Sequence, residues 1–336
     1  MDLEPITPEE AVESYLEQRE TEVAKATLDS HRSRLNYFTQ WCNQEGIENL
    51  NELTGRLLHE YRLWRRNDGN LSKVSEKTQL VTLSVFIQWA ESIEAVEQDL
   101  HIKVQTPSLA YGEDVRDDIL ETDQAEHILD YLSKFEYATR RHVVFKLLWH
   151  TMCRRGSIRT LDLNDYNPSN QYLEINHRPE TGTPIKNQVR GERYIALSDD
   201  MCTLLDDWVE TNRPDVTDNN GRSPLVATEQ GRIHNTTIQQ YAYCLTRPCI
   251  LDTECPHGRE IDECEAATWK RPFACPSSVS PHAIRRGSIT HALNTGTPQE
   301  AVSDRANVTR DVLDKHYDAR SKREKMEARR QFAEEL

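Results

Sequence analysis

Residues 280–287 read SPHAIRRG. Ser280 is a residue type that caps helix N-termini, and Pro281 suits the first helical position. A helix opening there puts His282 and Arg285 on one face of its first turns. The free N–H groups and partial positive charge of a helix N-terminus already favour an anion. A histidine and an arginine beside them make a site for a phosphate or another oxyanion. The other reading of so short a pattern is a capped surface helix with scattered charges, so the rest of the chain has to decide.

The chain has 336 residues, room for two domains or one large one. It is 37% hydrophobic and 29% charged, with a mean hydropathy of −0.76. No apolar run approaches the ~18 residues of a membrane span, and MDLEPITPEE is unlike a signal peptide. These features point to a cytoplasmic protein with no membrane partner. Its eight cysteines are then free thiols or metal ligands rather than disulfides. The net charge is −15, from 56 acidic and 41 basic residues. Taken alone it speaks against nucleic acid. Yet the basic residues are 30 Arg and 11 Lys, and the acidic ones are spread along the whole chain. A halophilic protein working in molar salt carries such a surface, and net charge then says little about one basic cleft.

Residues 1–106 read as a helical bundle. TPEE at 7–10 is a capping box, followed by Val12, Tyr15 and Leu16 at helical spacing. Leu28, Leu35, Phe38 and Trp41 mark a second stripe. Leu57, Leu58, Tyr61 and Trp64 mark a third; Leu80, Leu83, Phe86 and Trp89 mark a fourth. Arg62, Arg65, Arg66, Lys73 and Lys77 are expected on solvated faces, open to a partner. Residues 107–118 carry Pro, Gly and charge without periodicity and read as a linker. From 119 to 336 a second domain follows. A helix opens at Thr122, an apolar one runs to about Thr151, and YLEI at 172–175 and RYIAL at 193–197 read as strands. After residue 200 the chain is expected to return to helices. The fold class is therefore mainly α with a small β-sheet.

Three further stretches join the first. HTMCRRGSIRTLDL carries Arg154 and Arg155 after the apolar helix. IKNQVRGERYIAL carries Lys186 ahead of the second strand. DVLDKHYDAR carries Tyr317 on a short helix that Thr309 can cap, with Val312 and Leu313 as its apolar side. In this order, Arg154, Lys186, HAIR at 282–285 and Tyr317, the chain resembles the tyrosine recombinases, or phage-type integrases, of Xer-like pattern. The resemblance extends to the N-terminal bundle, which is similar to the family's SAM-like core-binding domain, so it spans nearly the whole chain. It implies a mixed α/β catalytic domain and a clamp of two domains around double-stranded DNA. It also implies a synaptic tetramer and site-specific cutting and rejoining through a 3′-phosphotyrosine. By the same resemblance Arg154 and Arg285 hold the scissile phosphate and His282 assists proton transfer. Lys186 is then the general acid and Tyr317 the nucleophile, with no cofactor needed for the chemistry.

The chain departs from the family pattern in places. Met152 stands where the family has Gly, and Ser157 where it often has Glu or Asp. The usual His or Trp before the nucleophile is missing. Asn307 is the nearest polar candidate, ten residues ahead of Tyr317 where the family's separation is nine. His316 is a second candidate, but it points about 100° away around a helix. These departures keep a non-cleaving DNA-binding regulator on the same fold as an alternative, and the acidic charge keeps a helical protein-interaction module.

Five cysteines fall between 244 and 275. Cys249, Cys255, Cys264 and Cys275 lie in a Cys-rich insertion at about 249–275 that is poor in apolar residues. A loop this long needs something to order it. The alternatives are a structural Zn2+ held by these four thiolates, with His257 as substitute for one, or free thiols in a flexible insertion. The insertion lies outside the general family pattern and resembles haloarchaeal members. Cys42, Cys153 and Cys202 read as core.

Overall fold

The computed structural model describes residues 3–110, 112–114, 118–251, 254–318, 320–327 and 330. The chain divides into two compact units, Met1–Val115 and Arg116–Leu336.

The first unit contains α1 (Pro8–Glu20), α2 (Lys25–Glu45), α3 (Gly55–Asp68) and α4 (Lys73–Ser92). Thr7 and Glu10 close the capping box reciprocally, Thr7 Oγ1 accepting from the Glu10 amide at 3.2 Å and the Glu10 carboxylate from the Thr7 amide at 3.3 Å. The apolar stripes meet in one core in which Tyr15, Phe38, Trp41, Tyr61 and Phe86 pack edge to face. Such ring pairs add stability beyond their buried area. Arg65 departs from the expected solvated face. It is 6% exposed and lies 3.7 Å over the Tyr37 ring, with Nε donating to Gln79.

The second unit is built around α6 (Arg140–Thr151), whose Val143, Val144, Phe145, Leu147 and Leu148 are all buried. Apolar residues buried around most of its girth make it central, with Arg140, Arg141 and Lys146 reaching out to ion pairs. Around it lie α5 (Thr122–Phe135), α7 (Arg155–Thr160), α8 (Asp199–Asp207), α9 (Asn235–Leu245) and α10 (Pro281–Asn294). The antiparallel sheet runs β1 (Tyr166–Asn167), β2 (Tyr172–Ile175), β3 (Arg193–Ala196). Leu173 pairs with Ile195, both turned into the core. A second, unexpected hairpin, β4 (Ala227–Thr228) and β5 (Gly231–Arg232), interrupts the helices after residue 200. Gly231 at φ 108° permits its turn. The chain closes with α11 (Gln299–Ala306), α12 (Arg310–Val312) and α13 (Lys322–Glu327). Among the described residues no helix is long and apolar enough to cross a membrane.

Candidate active site

The apolar cylinder of α6 stops at Thr151, and Met152 turns the chain in the left-handed region at φ 56°, ψ 20°. That conformation suits glycine and strains other residues, which gives a physical reason for the family's Gly at this place. Here the strain is opposed by packing. The Met152 side chain is buried with Ile289, Leu293, Val302, Leu313 and Tyr317 in a cluster separate from the main core. The turn also aims the Met152 carbonyl at Arg285, which donates to it from Nη1 at 2.5 Å. Two residues on, Arg154 is the N-cap of α7, and its Nη1 donates to the Asn307 carbonyl at 3.3 Å.

Helix α10 opens as expected, with Pro281 first and Ser280 Oγ accepting from the Ala283 amide at 3.4 Å. Arg285 is 1% exposed, and its Nη2 donates to the Ala306 carbonyl at 2.7 Å. Burial and the neighbouring charge of Arg154 push its pKa down to about 10, so it stays charged at neutral pH. A fixed buried cation with few partners is an incomplete arrangement, and an anion completes it.

Thr309 caps α12, which continues as a wider π turn over Leu313–Tyr317. Leu313 is fully buried, whereas Val312 is 38% exposed and does not form the expected apolar side with it. Tyr317 is 5% exposed. Its ring lies 5.0 Å from Arg285 Cζ and 5.2 Å from the His282 ring, and its carbonyl accepts from Thr290 Oγ1 at 3.0 Å. Beside them is a cavity of about 350 Å3 lined by Arg154, Arg155, Gln239, Tyr243, His282 and Arg285 with Ser280 and Pro281. None of its lining residues is acidic, although the chain carries a net charge of −15.

Three of the expected residues, Arg154, His282 and Arg285, therefore share the cavity, and Tyr317, not itself a lining residue, lies against His282 and Arg285. Lys186 is exposed on the β2–β3 connection and is not among the lining residues. Its loop is nevertheless tied to the cluster through Asn307. Asn187 Nδ2 donates to Asn307 Oδ1 at 3.2 Å, while the Asn307 carbonyl holds Arg154. Gly191 permits this approach, since a Cβ there would meet the Lys186 carbonyl at 2.6 Å. His316 is part-buried, and among the described contacts none joins it to the cluster. Gln239 and Tyr243 escaped the sequence reading; their i, i+4 spacing on α9 was the available signal.

Cys249, Cys255, Cys264, Cys275 and His257 line one small cavity of about 20 Å3. His257 Nε2 pairs with Ser277 Oγ at 2.9 Å. Among the described residues no three metal-binding side chains are placed to hold an ion. Burial pushes the Cys249 thiol up; the Ala266 amide holds that of Cys264 down. The segment packs on α9, with Trp269 on Tyr241 and Phe273 on Tyr243, so its order bears on a residue lining the larger cavity. Cys42, Cys153 and Cys202 are buried.

Known proteins share this architecture. A probable integrase/recombinase of Methanocaldococcus jannaschii is 20% identical over 308 residues, covering 90% of this chain and 84% of its own. The tyrosine recombinase XerD of Staphylococcus epidermidis is 22% identical, covering 87% and 88%. A solved lambda integrase tetramer bound to a Holliday junction is 15% identical, with a TM-score of 0.63 over 94% of this chain and 79% of that one. The phage integrase N-terminal SAM-like domain pattern matches residues 12–93. With the phage integrase pattern matching residues 118–322, the chain belongs to the phage integrase family, the tyrosine recombinases that break and rejoin DNA.

Proposed function

We propose that Tyr317 is the nucleophile of this recombinase and that Arg154, His282, Arg285 and Lys186 serve it. The observation that carries the reading is that Arg154, His282 and Arg285 line one acid-free cavity, with the Tyr317 ring packed beside His282 and Arg285. The two guanidinium groups stabilise the charge that builds on the phosphate in the transition state. Tyr317 Oη attacks phosphorus, a P–Oη bond forms, and the P–O5′ bond breaks. His282 assists removal of the tyrosine proton, and Lys186 supplies one to the departing 5′ oxygen. The phosphotyrosine keeps the bond energy, so rejoining is the same path reversed and draws on no cofactor. Tyr317→Phe tests this: DNA binding persists and the covalent adduct on a nicked duplex disappears. Asn307 serves through its carbonyl on Arg154, in place of the family's His or Trp. We assign that place to Asn307 rather than to His316, which no described contact joins to the cluster.

Residues 1–106 are the core-binding domain, 107–118 the linker and 119–336 the catalytic domain. The protein works in the cytoplasm of a halophile, on double-stranded DNA as a synaptic tetramer. The reading as an interaction module without DNA falls with the family. A regulator that binds without cutting is what an absent adduct in the wild-type protein would reveal.

A structural Zn2+ held by Cys249, Cys255, Cys264 and Cys275 orders the insertion. Its support is the gathering of all four thiols and His257 on one cavity in a segment of short 3-10 turns. Binding requires the thiols to draw together. Metal analysis of purified protein should give about one zinc per chain. No metal, with all four thiols alkylated in the native state, refutes the assignment.

A further inference from the structure

Arg222 lies outside the cavity, yet it joins the two segments that carry Arg154 and Lys186. Its Nε donates to Asp162 Oδ2 at 2.7 Å and its Nη2 to the Thr160 carbonyl at 3.2 Å. Thr160 ends the short helix that Arg154 begins, and a carbonyl at a helix end has no partner within the helix. From the same guanidinium, Nη1 donates to Thr181 Oγ1 at 2.6 Å and Thr183 Oγ1 at 2.7 Å. Those threonines stand at the base of the loop whose turn carries Lys186. Thr183 is wholly buried and bridges Arg178 through its backbone. Two residues on, the Ile185 amide donates to His177 Nδ1 at 3.1 Å.

The charges around this contact are balanced and largely removed from solvent. Asp162 also receives Arg232, and Arg232 Nε donates to Asp218 at 2.8 Å. Arg178 donates to both carboxylate oxygens of Asp165. A planar fork with donors in fixed directions can serve Asp162, Thr160, Thr181 and Thr183 together; an ammonium cannot.

We infer that Arg222 is a positioning residue for cleavage, locking the base of the Lys186 loop to the helix that begins at Arg154. The inference rests on Lys186 being the general acid and adds what holds it in register with the phosphate. A misplacement of about 1 Å costs on the order of 10²-fold in rate.

The test compares Arg222→Lys, Thr183→Val, Thr183→Ser and Lys186→Ala on two duplexes, one with the ordinary 5′ bridging oxygen and one with sulfur there. Sulfur leaves without a proton. Arg222→Lys should cut the oxygen duplex about 10²-fold more slowly and the sulfur duplex at nearly the wild-type rate. Thr183→Val should follow in the same direction, and Thr183→Ser should restore the oxygen rate. Hydrogen exchange of amides 183–191 should rise in Arg222→Lys. Equal slowing on both duplexes, or unchanged exchange, overturns the inference. Lys186→Ala separates the two layers. If sulfur fails to rescue it, the general-acid role falls, and raised exchange in Arg222→Lys still establishes the clamp.

Discussion

Replacing Met152 by Gly and by Ala probes the turn that feeds Arg285. Both variants lose a side chain that is 6% exposed and packed against Tyr317. Emptying such a site costs about 2–5 kcal/mol. They differ in the backbone. At φ 56° alanine keeps a left-handed strain of about 1–2 kcal/mol that glycine does not feel. Glycine loses roughly 0.5–1 kcal/mol more chain entropy on folding. The balance favours Met152→Gly over Met152→Ala by about 0–1.5 kcal/mol, centred near 1, the reverse of their order in a helix. In a unit of this size that separates the two melting temperatures by roughly 2–4 °C. Thermal denaturation of wild type and both variants measures it, with chemical denaturation as a check. If Met152→Ala is clearly more stable than Met152→Gly, the left-handed turn is wrong and so is the account of how the Met152 carbonyl reaches Arg285.

Arg285→Ala should lower the cleavage rate at least 10²-fold, about 3 kcal/mol of transition-state stabilisation, measured as adduct formation on a nicked duplex. His142 is buried and His150 half-buried, and desolvation pushes each pKa down to about 4. Their folded values lie below the unfolded ~6.5, so stability is full above pH 6.5 and is lost as pH falls from there towards 4. His142 has both ring nitrogens unpartnered, so His142→Leu should flatten that acid limb in a pH series of melting temperatures. If the acidic surface is a halophile's, the melting temperature should rise between 0.1 M and about 2 M KCl as salt screens self-repulsion; a flat response removes that explanation.

What was legible in the sequence was whatever obeys a period or a cap. The aromatic stripes of α1–α4, the alternation of β2 and β3, and the Ser280-Pro281 opening of α10 all lie there. The hairpin β4–β5 has strands of two residues each, too short for alternation to register. The burial of Arg65 is set by Tyr37 and Gln79, which lie on other helices. The Arg222 network draws on residues scattered from 160 to 232, and no spacing rule connects them. At Met152 the sequence shows only a lost glycine; the use of its carbonyl by Arg285 and of its side chain beside Tyr317 depends on contacts no local pattern encodes. Lys186 could be placed on its loop from the chain order, but its tie to Arg154 runs through the Asn307 carbonyl, a backbone group that residue identity does not reveal.

Tyr317 is one of eight buried residues in a cluster separate from the core around α6 and the sheet. Arg285 is tied to the same cluster, donating to the carbonyls of its members Met152 and Ala306, whereas Arg154 begins α7. A small cluster opens at a lower free energy than a large one. Its opening is expected to release Tyr317 and Arg285 together while the larger core around α6 stays folded. In mild denaturant the protein should pass through a form that still retards DNA in a gel yet leaves no adduct on it, and the cleavage midpoint should precede the binding midpoint. Coincident midpoints would mean that the nucleophile shares the fate of the whole unit.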